Sequence, residues 1–138
     1  MCQIVAMDIS AYMLKMEKEF REKFGLEFVS VSEGRAVATF NIGPEHRNPL
    51  GFVYGGIIYN LADIVAGVAF FTTGAMGPTV EGSMKYLSGS EDAKTLTLEG
   101  NVIKSGRNLG FVEVKVKDER GNLVETGSFT YFNMGSRG

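Results

Sequence analysis

The feature that most restricts the fold of this chain is a long apolar segment from about Gly55 to Thr73. Its apolar residues lie nearly all round a helix rather than on one stripe: Ile57, Ile58, Leu61, Ile64, Val65, Val68, Phe70 and Phe71. Such a helix is buried in protein or crosses a membrane. The polar residues Asn60 and Asp63, and the lack of basic flanks, argue against a membrane. The segment therefore predicts a buried central helix.

A second helix and six strands are predicted in the rest of the chain. Apolar residues at helical spacing favour an N-terminal helix from about Ile9 to Phe24, and these are Ile9, Tyr12, Met13, Met16, Phe20 and Phe24. Alternation and turn residues indicate strands at about Leu26–Ser32, Arg35–Ile42, Thr79–Leu87, Thr95–Lys104, Leu109–Lys117 and Leu123–Asn133. This order predicts an α+β fold in which a curved antiparallel sheet surrounds the central helix, with residues 1–138 forming one domain.

Composition and charge narrow the classes of function. The net charge of −2, with scattered basic residues, gives no reason to expect nucleic acid as a partner. One cysteine, Cys2, and one histidine, His46, argue against a disulfide framework and a His/Cys metal site. No G-x-S-x-G pattern marks a serine hydrolase. The segment Met1–Asp8 has no basic region followed by an apolar run, so a cytoplasmic protein is expected.

The start of the central helix has features that suit a reaction at a carbonyl group. Gly55 and Gly56 form a turn with uncovered backbone N–H groups, at the positive end of the helix dipole. Asp63 lies further along, in apolar sequence where the environment can tune a carboxyl group. The two glycines alone would also fit a tight turn. A charged group in an apolar helix is costly unless it is paired or used, which favours a function for Asp63.

The spacing of Gly55 and Asp63 predicts a site shared by two chains. Eight residues of helix separate them by about 12 Å along the axis and about 80° around it. One small carbonyl group cannot contact both groups of the same helix. If both act on one substrate, Asp63 comes from a second subunit, and a two-fold dimer with two composite sites is the smallest arrangement.

These residues resemble a known family. Hot dog fold acyl-CoA thioesterases of the PaaI-like branch, which includes thioesterase superfamily member 2, carry H-x-N-x-x-G-x-x-H-G-G and then L-x-D on the central helix. The corresponding residues here are His46, Asn48, Gly51, Tyr54, Gly55, Gly56, Leu61 and Asp63. The resemblance covers roughly residues 10–134. It implies a curved antiparallel sheet wrapped around a long central helix, the hot dog fold, and hydrolysis of a coenzyme A thioester to the free acid and CoA.

The resemblance also implies catalytic roles. In the family, the glycine N–H at the helix start polarises the thioester carbonyl, and Gly55 has this position. The helix carboxylate is the nucleophile or the general base, and Asp63 has this position. Asn48 would help to place the carbonyl group or the water. Thr79, with Ser83 as the alternative, would position the water or the acid.

Substrate contacts and assembly are implied in the same way. His46, Tyr54 and Gly56 would bind the substrate near the carbonyl group. Tyr86 and the hairpin residues Lys104, Gly106 and Arg107 would lie along the pantetheine and phosphates of CoA. CoA is then part of the substrate and no separate cofactor is expected. The family implies a homodimer as the minimal unit and a homotetramer as the expected assembly, with neither nucleic acid nor membrane as a partner.

One departure from the family pattern leaves alternatives open. Tyr54 stands where the family usually has histidine, and a phenol can donate a hydrogen bond but is not a base near neutral pH. A non-catalytic acyl-CoA binding module is therefore one alternative, although Asp63 argues against it. A hydroxyacyl dehydratase of the same fold is the other, but His46 precedes the loop rather than occupying the usual context. Taken alone, His46 and Asn48 also fit a loop brace and a turn.

Overall fold

A buried helix, α2 (Gly55–Phe71), is the element around which the chain is arranged. The computed structural model describes residues 2–89 and 91–135, with side chains from residue 12 onward. Helix α1 (Cys2–Phe24) and strands β1 (Leu26–Ser32) and β2 (Arg35–Asn41) precede α2. Four strands follow it: β3 (Thr79–Tyr86), β4 (Thr95–Ser105), β5 (Leu109–Asp118) and β6 (Leu123–Phe132). The predicted order of elements is therefore the observed order.

The six strands form one antiparallel sheet in the order β1-β2-β4-β5-β6-β3. Successive side chains of a strand point to opposite faces, so alternate residues of the inner strands are buried against α2. These buried residues include Ala36, Ala38, Phe40, Leu96, Leu98, Val112, Val114 and Val116. Helix α2 packs against all six strands, which means that the sheet wraps around it. This arrangement confirms the predicted α+β architecture.

Small residues allow α2 to lie very close to the sheet. Gly100 of β4 faces the middle of the helix, and a Cβ atom at this position would lie 3.3 Å from both the side chain and the carbonyl oxygen of Val65. Such a separation is tighter than ordinary van der Waals contact. The absence of a side chain at Gly100 therefore sets how closely helix and sheet approach.

The ends of both helices differ from the prediction. The expected start of α1 near Ile9 is wrong, because the helix begins at Cys2. No proline or glycine interrupts residues 2–8, so the backbone can stay helical beyond the stretch whose spacing is amphipathic. Helix α2 ends at Phe71 rather than Thr73. The hydroxyl groups of Thr72 and Thr73 donate to the carbonyl groups of Ala69 and Phe70 and so satisfy acceptors at the helix end.

Strand β3 lies at the edge of the sheet, and its first residue, Thr79, donates a hydrogen bond to Asp63 of α2. In the pairing of β3 with β6, Thr79 lies opposite Tyr131, and Tyr86 lies opposite Glu125. Paired residues project to the same face, so each of these pairs places two side chains together. Among the described residues, neither helix combines the length and the apolar character that crossing a membrane requires.

Candidate active site

The loop before α2 is closed by Asn48. Its side-chain Oδ1 accepts hydrogen bonds from the backbone N–H groups of Leu50 (3.0 Å) and Phe52 (3.1 Å). Gly51 adopts a φ of 93°, a left-handed conformation that glycine allows without strain. Because Oδ1 is occupied by two donors, the NH₂ group of Asn48 is the part of this side chain left for a ligand.

His46 braces the same loop from the other side. Its Nδ1 accepts a hydrogen bond of 2.8 Å from the backbone N–H of Gly43, and its ring lies 4.7 Å from that of Phe40, centroid to centroid. Its carbonyl oxygen accepts from the backbone N–H of Tyr54 at 3.0 Å. His46 therefore fixes the residue that immediately precedes the helix. The side chain of Tyr54 itself is 46% exposed.

The start of α2 presents N–H groups with no partner in the described part of the chain. Tyr54 occupies the position before the first helical turn, and its side chain does not cap the helix. Its carbonyl oxygen accepts from the N–H groups of Ile57 and Ile58. Among the described residues, no acceptor meets the N–H of Gly55 or of Gly56. These donors lie at the positive end of the helix dipole, which makes them suited to a developing negative charge.

Tyr86 packs directly on this helix start. Its hydroxyl group donates to the carbonyl oxygen of Gly55 at 2.9 Å, and a Cβ atom at Gly55 would lie only 3.2 Å from the Tyr86 ring. Both residues line a cavity of about 440 Å³. Phe52, Val53, Leu87, Ser88, Gly89 and Glu125 complete its lining. Gly55, expected to polarise the carbonyl group, and Tyr86, expected to bind substrate, thus lie side by side.

Asp63 is held by two hydroxyl donors on neighbouring strands. Its Oδ1 atom accepts from Thr79 Oγ1 at 2.9 Å and from the Tyr131 hydroxyl at 2.8 Å. Among the described residues, Oδ2 accepts no hydrogen bond, so one carboxylate oxygen is fixed and the other is left for chemistry. Of the two candidates from the sequence, the structure brings Thr79 rather than Ser83 to the carboxylate.

Tyr131 was missed by the sequence reasoning. It is 3% exposed, its ring stacks on that of Phe70 with centroids 5.4 Å apart, and its hydroxyl also donates to the main-chain carbonyl of Asp63. Burial, followed by the neighbouring charge and hydrogen bond of Asp63, raises the pKa of Tyr131 well above its ordinary value. The phenol therefore remains a protonated donor to the acid. No local sequence pattern singles it out, because its position opposite Thr79 depends on the strand register.

Within one chain, the helix start and the acid belong to different cavities. Asp63 lines a cavity of about 240 Å³ with Thr79, Tyr131 and apolar side chains of α1. This cavity shares no lining residue with the one at Gly55. Since both residues lie on α2, about 12 Å of helix rise separates them.

The hairpin between β4 and β5 lies at the opposite end of α2 from Gly55. Ser105 at the end of β4 approaches Thr73, just beyond the last turn of the helix, with hydroxyl oxygens 3.4 Å apart. Gly106 is fixed by a hydrogen bond from its N–H to the carbonyl of Leu109, and Lys104 and Arg107 are exposed. A single chain therefore does not bring these three expected CoA contacts to the carbonyl-binding end of the helix.

A second residue that sequence reasoning missed is Glu125 of β6. It is the one charged residue buried in the described part of the chain, at 2% exposure, and its Oε1 atom has no hydrogen-bond partner there. Burial raises its pKa to about 8. No group of three or more His, Cys, Asp and Glu side chains in residues 2–89 and 91–135 is arranged to hold a metal ion.

Comparisons with known proteins agree with the fold. Human acyl-coenzyme A thioesterase 13 is 27% identical over 108 residues, which are 76% of this chain and 77% of that protein. A hypothetical thioesterase of Streptococcus pneumoniae with coenzyme A has a TM-score of 0.76 at 27% identity, covering 82% of this chain and 88% of that one. Two further structures of that thioesterase have alanine in place of an aspartate and of a threonine sixteen positions apart, the separation between Asp63 and Thr79.

The PaaI protein of Escherichia coli is alike in fold, with a TM-score of 0.82 at 20% identity and 91% of each chain covered. The family model described as Thioesterase superfamily matches residues 50–125, more than half of the 138 residues. This match begins near the end of the loop and spans the helix start, Asp63 and all strands from β3 to the beginning of β6. The expected hot dog fold is therefore confirmed, and the chain belongs to the Thioesterase superfamily.

Proposed function

We propose that this protein hydrolyses an acyl-CoA thioester to the free acid and CoA at a site shared by two subunits. The observation that carries the proposal is that one helix carries both a backbone N–H donor and an oriented carboxylate. Gly55 offers a free N–H at the positive helix end, and Asp63 is a carboxylate with one oxygen fixed by two hydroxyl donors. Membership of the Thioesterase superfamily and the likeness to an acyl-coenzyme A thioesterase support this reaction.

The N–H of Gly55 is the proposed donor that polarises the thioester carbonyl group. Attack on the thioester carbonyl places negative charge on its oxygen, and a preorganised backbone donor stabilises that charge by roughly 3 kcal/mol. Gly56 follows Gly55 directly and Asn48 belongs to the loop before it. Each has an N–H donor without an acceptor in the described residues: the Asn48 side-chain amide and the Gly56 backbone. The thiolate of CoA is a good leaving group and needs no strong acid to assist it.

Asp63 is the proposed base or nucleophile. As a base, it removes a proton from water while the water oxygen bonds to the carbonyl carbon, and collapse of the tetrahedral intermediate breaks the carbon–sulfur bond. The thiolate then takes up the proton. As a nucleophile, Oδ2 itself bonds to the carbonyl carbon, thiolate leaves, and water hydrolyses the resulting anhydride. Thr79 and Tyr131 position the carboxylate in either case.

The helix geometry supports a composite site. Gly55 and Asp63 of one chain are about 12 Å apart and line separate cavities, so the acid that meets a carbonyl at Gly55 is proposed to be the partner's. The same reasoning assigns Lys104, Gly106 and Arg107 of the other subunit to CoA, since in one chain they lie far from Gly55. A homodimer is then the minimal unit, and we propose a homotetramer of two dimers in the cytoplasm, with no cofactor beyond the CoA of the substrate.

His46 does not favour the dehydratase alternative. Its Nδ1 is engaged by the N–H of Gly43 and its ring packs on Phe40, so it acts on the loop rather than on a reacting atom. Its proposed contribution to substrate binding is to hold Tyr54 and the helix start in place. A binding module without catalysis has no use for a carboxylate that two hydroxyl groups orient.

Subunit mixing tests the composite site directly. A Gly55→Pro chain lacks the N–H donor, and an Asp63→Asn chain lacks the acid, so each homodimer has two defective sites. A mixed dimer combines the intact Gly55 of one chain with the intact Asp63 of the other. The unseparated product of co-expression is expected to give about one quarter of wild-type thiol release, because about half of randomly formed dimers are mixed and each has one intact site. Mixed dimers isolated with two affinity tags are expected to give about one half.

Two measurements would contradict the proposal. Mixed dimers as inactive as their parents would place both groups of a site on one chain. A wild-type protein that releases no thiol from any member of an acyl-CoA panel, while binding those thioesters, would favour the binding module. Gel filtration with light scattering serves as the control that all species are assembled.

A further inference from the structure

The cavity at the start of α2 contains a carboxyl group that the proposed hydrolysis does not use. Glu125 lines this cavity together with Gly55, and it lies directly opposite Tyr86, whose hydroxyl group bonds to Gly55. Glu125 is buried, with 2% of its surface exposed. Oε1 has no hydrogen-bond partner among the described residues. A buried polar atom without a partner costs free energy, so its retention requires an explanation.

The surroundings of Glu125 define what could complete its hydrogen bonding. Burial raises its pKa to about 8, so near neutral pH most of the group is the uncharged acid, which both donates and accepts. The described residues that line the cavity include no lysine, arginine or histidine. Phosphates of CoA find no countercharge there. Phe52, Val53 and Leu87 give the cavity apolar walls that suit a carbon chain.

We propose that Glu125 is a specificity-determining residue that binds an uncharged hydrogen-bonding substituent, such as a hydroxyl group, on the acyl part of the substrate. This inference rests on the proposed thioesterase function, because Gly55 N–H then places the carbonyl carbon at the mouth of the same cavity. The acyl chain extends along the apolar walls, and its hydroxyl group forms a hydrogen bond with the Glu125 carboxyl group. An ammonium substituent would bind well only if the buried Glu125 carboxyl group ionised. A carboxylate substituent would lie beside another carboxyl group.

The test compares matched substrates on matched variants. The substrates are straight-chain acyl-CoA thioesters of one length, either unsubstituted, with a hydroxyl group at successive carbons, or with a terminal amine. The variants are Glu125→Leu, which removes all hydrogen bonding at similar volume, and Glu125→Gln, which retains a donor and an acceptor. For wild type, we expect kcat/KM for the best hydroxylated chain to exceed that of the unsubstituted chain by at least about tenfold.

In Glu125→Leu, kcat/KM for the hydroxylated chain is expected to exceed that for the unsubstituted chain by no more than about twofold. Glu125→Gln is expected to retain part of the preference. The terminal amine is expected to give no gain in any variant. A wild type indifferent to the hydroxyl group would overturn the inference. So would a Glu125→Leu variant that keeps the preference, or one that loses activity equally for all chains, since an equal loss means contact with the shared pantetheine arm. Thermal melting confirms that each variant is folded.

A binding measurement separates this inference from the proposed function. Ketone analogues in which a CH₂ group replaces the thioester sulfur cannot be hydrolysed, and calorimetry gives their Kd with and without the hydroxyl group. A hydroxyl preference in Kd that Glu125→Leu abolishes supports the inference even if no thioester is hydrolysed. Hydrolysis of all chains at one rate, with equal Kd values, rejects the inference and leaves the thioesterase function standing.

Discussion

The Tyr131 hydroxyl group lies 2.8 Å from both the Oδ1 atom and the main-chain carbonyl oxygen of Asp63. One donor on β6 thus ties the carboxylate to the backbone of its own helix, and Thr79 adds a second donor from β3. With Oδ1 held from two directions, rotation of the carboxylate is restricted. The remaining oxygen keeps one orientation, which is the condition for an acid that attacks or deprotonates without rearranging.

Tyr131→Phe removes the hydroxyl group and keeps the ring that stacks on Phe70. We expect kcat to fall by about tenfold with KM nearly unchanged, because the carboxylate loses orientation while the substrate contacts stay. The lost buried hydrogen bond is expected to lower the free energy of unfolding by about 1 kcal/mol. Steady-state kinetics and urea unfolding provide the two values. Thr79→Ser is the matched control, since it keeps the second hydroxyl donor. A rise in KM that accompanies the fall in kcat of Tyr131→Phe would mean that Tyr131 shapes the substrate site instead.

Gly55→Pro deletes the proposed carbonyl-binding donor with little damage to the helix. Proline is well tolerated at the first helical position, and Tyr54 before it already has the extended backbone, φ −56° and ψ 126°, that suits a following proline. We expect kcat/KM to fall by about 100- to 1,000-fold. Gly55→Ala keeps the N–H and adds the same Cβ contact with Tyr86, so it controls for steric effects. If both variants lost activity equally, crowding of Tyr86 rather than the N–H would be responsible.

Asn48→Asp and Asn48→Ala separate the two parts of the asparagine amide. Aspartate retains an oxygen acceptor for the N–H groups of Leu50 and Phe52, so we expect the melting temperature of Asn48→Asp to stay within a few degrees of wild type. Its activity is expected to fall at least tenfold, since the NH₂ donor is gone. Asn48→Ala is expected to lose activity and about 1–2 kcal/mol of stability together. An active Asn48→Asp enzyme would restrict Asn48 to a structural role in the loop.

Glu125 makes stability depend on pH. Its pKa rises from 4.5 in the unfolded chain to about 8 in the fold, so between these values the folded state holds the proton more tightly. The free energy of unfolding is therefore expected to decrease as pH rises from about 4.5 to 8, by at most about 1.4 kcal/mol per pH unit. Glu125→Gln is expected to flatten this slope. Tyr86 faces the carboxyl group but titrates above this pH window. Burial, followed by the charges of Glu125 and Tyr59, raises the pKa of Tyr86 from its ordinary value of 10.0.

Urea unfolding at half-unit steps of pH, on wild type and Glu125→Gln, measures this slope. Equal slopes for the two proteins would show that other groups dominate. The amide of glutamine cannot titrate, so any slope that remains in Glu125→Gln belongs to the rest of the molecule.

The fold was more accessible from sequence than the partners of the site residues. Periodicity located α2 and all six strands within about two residues, because apolar spacing reports directly on which face is buried. Asp63 could be singled out because a charge in an apolar helix is unusual. Tyr131 and Glu125 could not, because their importance depends on the register that pairs β6 with β3 across the intervening chain. Local pattern contains no information about that register.

The close packing of α2 against Gly100 has a consequence for how the protein accommodates its ligand. A helix packed so closely on a strand cannot slide or roll without collision, so the donor at Gly55 and the acid at Asp63 each keep a fixed position relative to the sheet of their own chain. Adjustment to acyl groups of different shape then falls to the peripheral parts of the molecule, the loop that ends at Tyr54 and the outer strand that carries Tyr86. Evolution could thus retune substrate choice at the rim without disturbing the reactive groups at the centre.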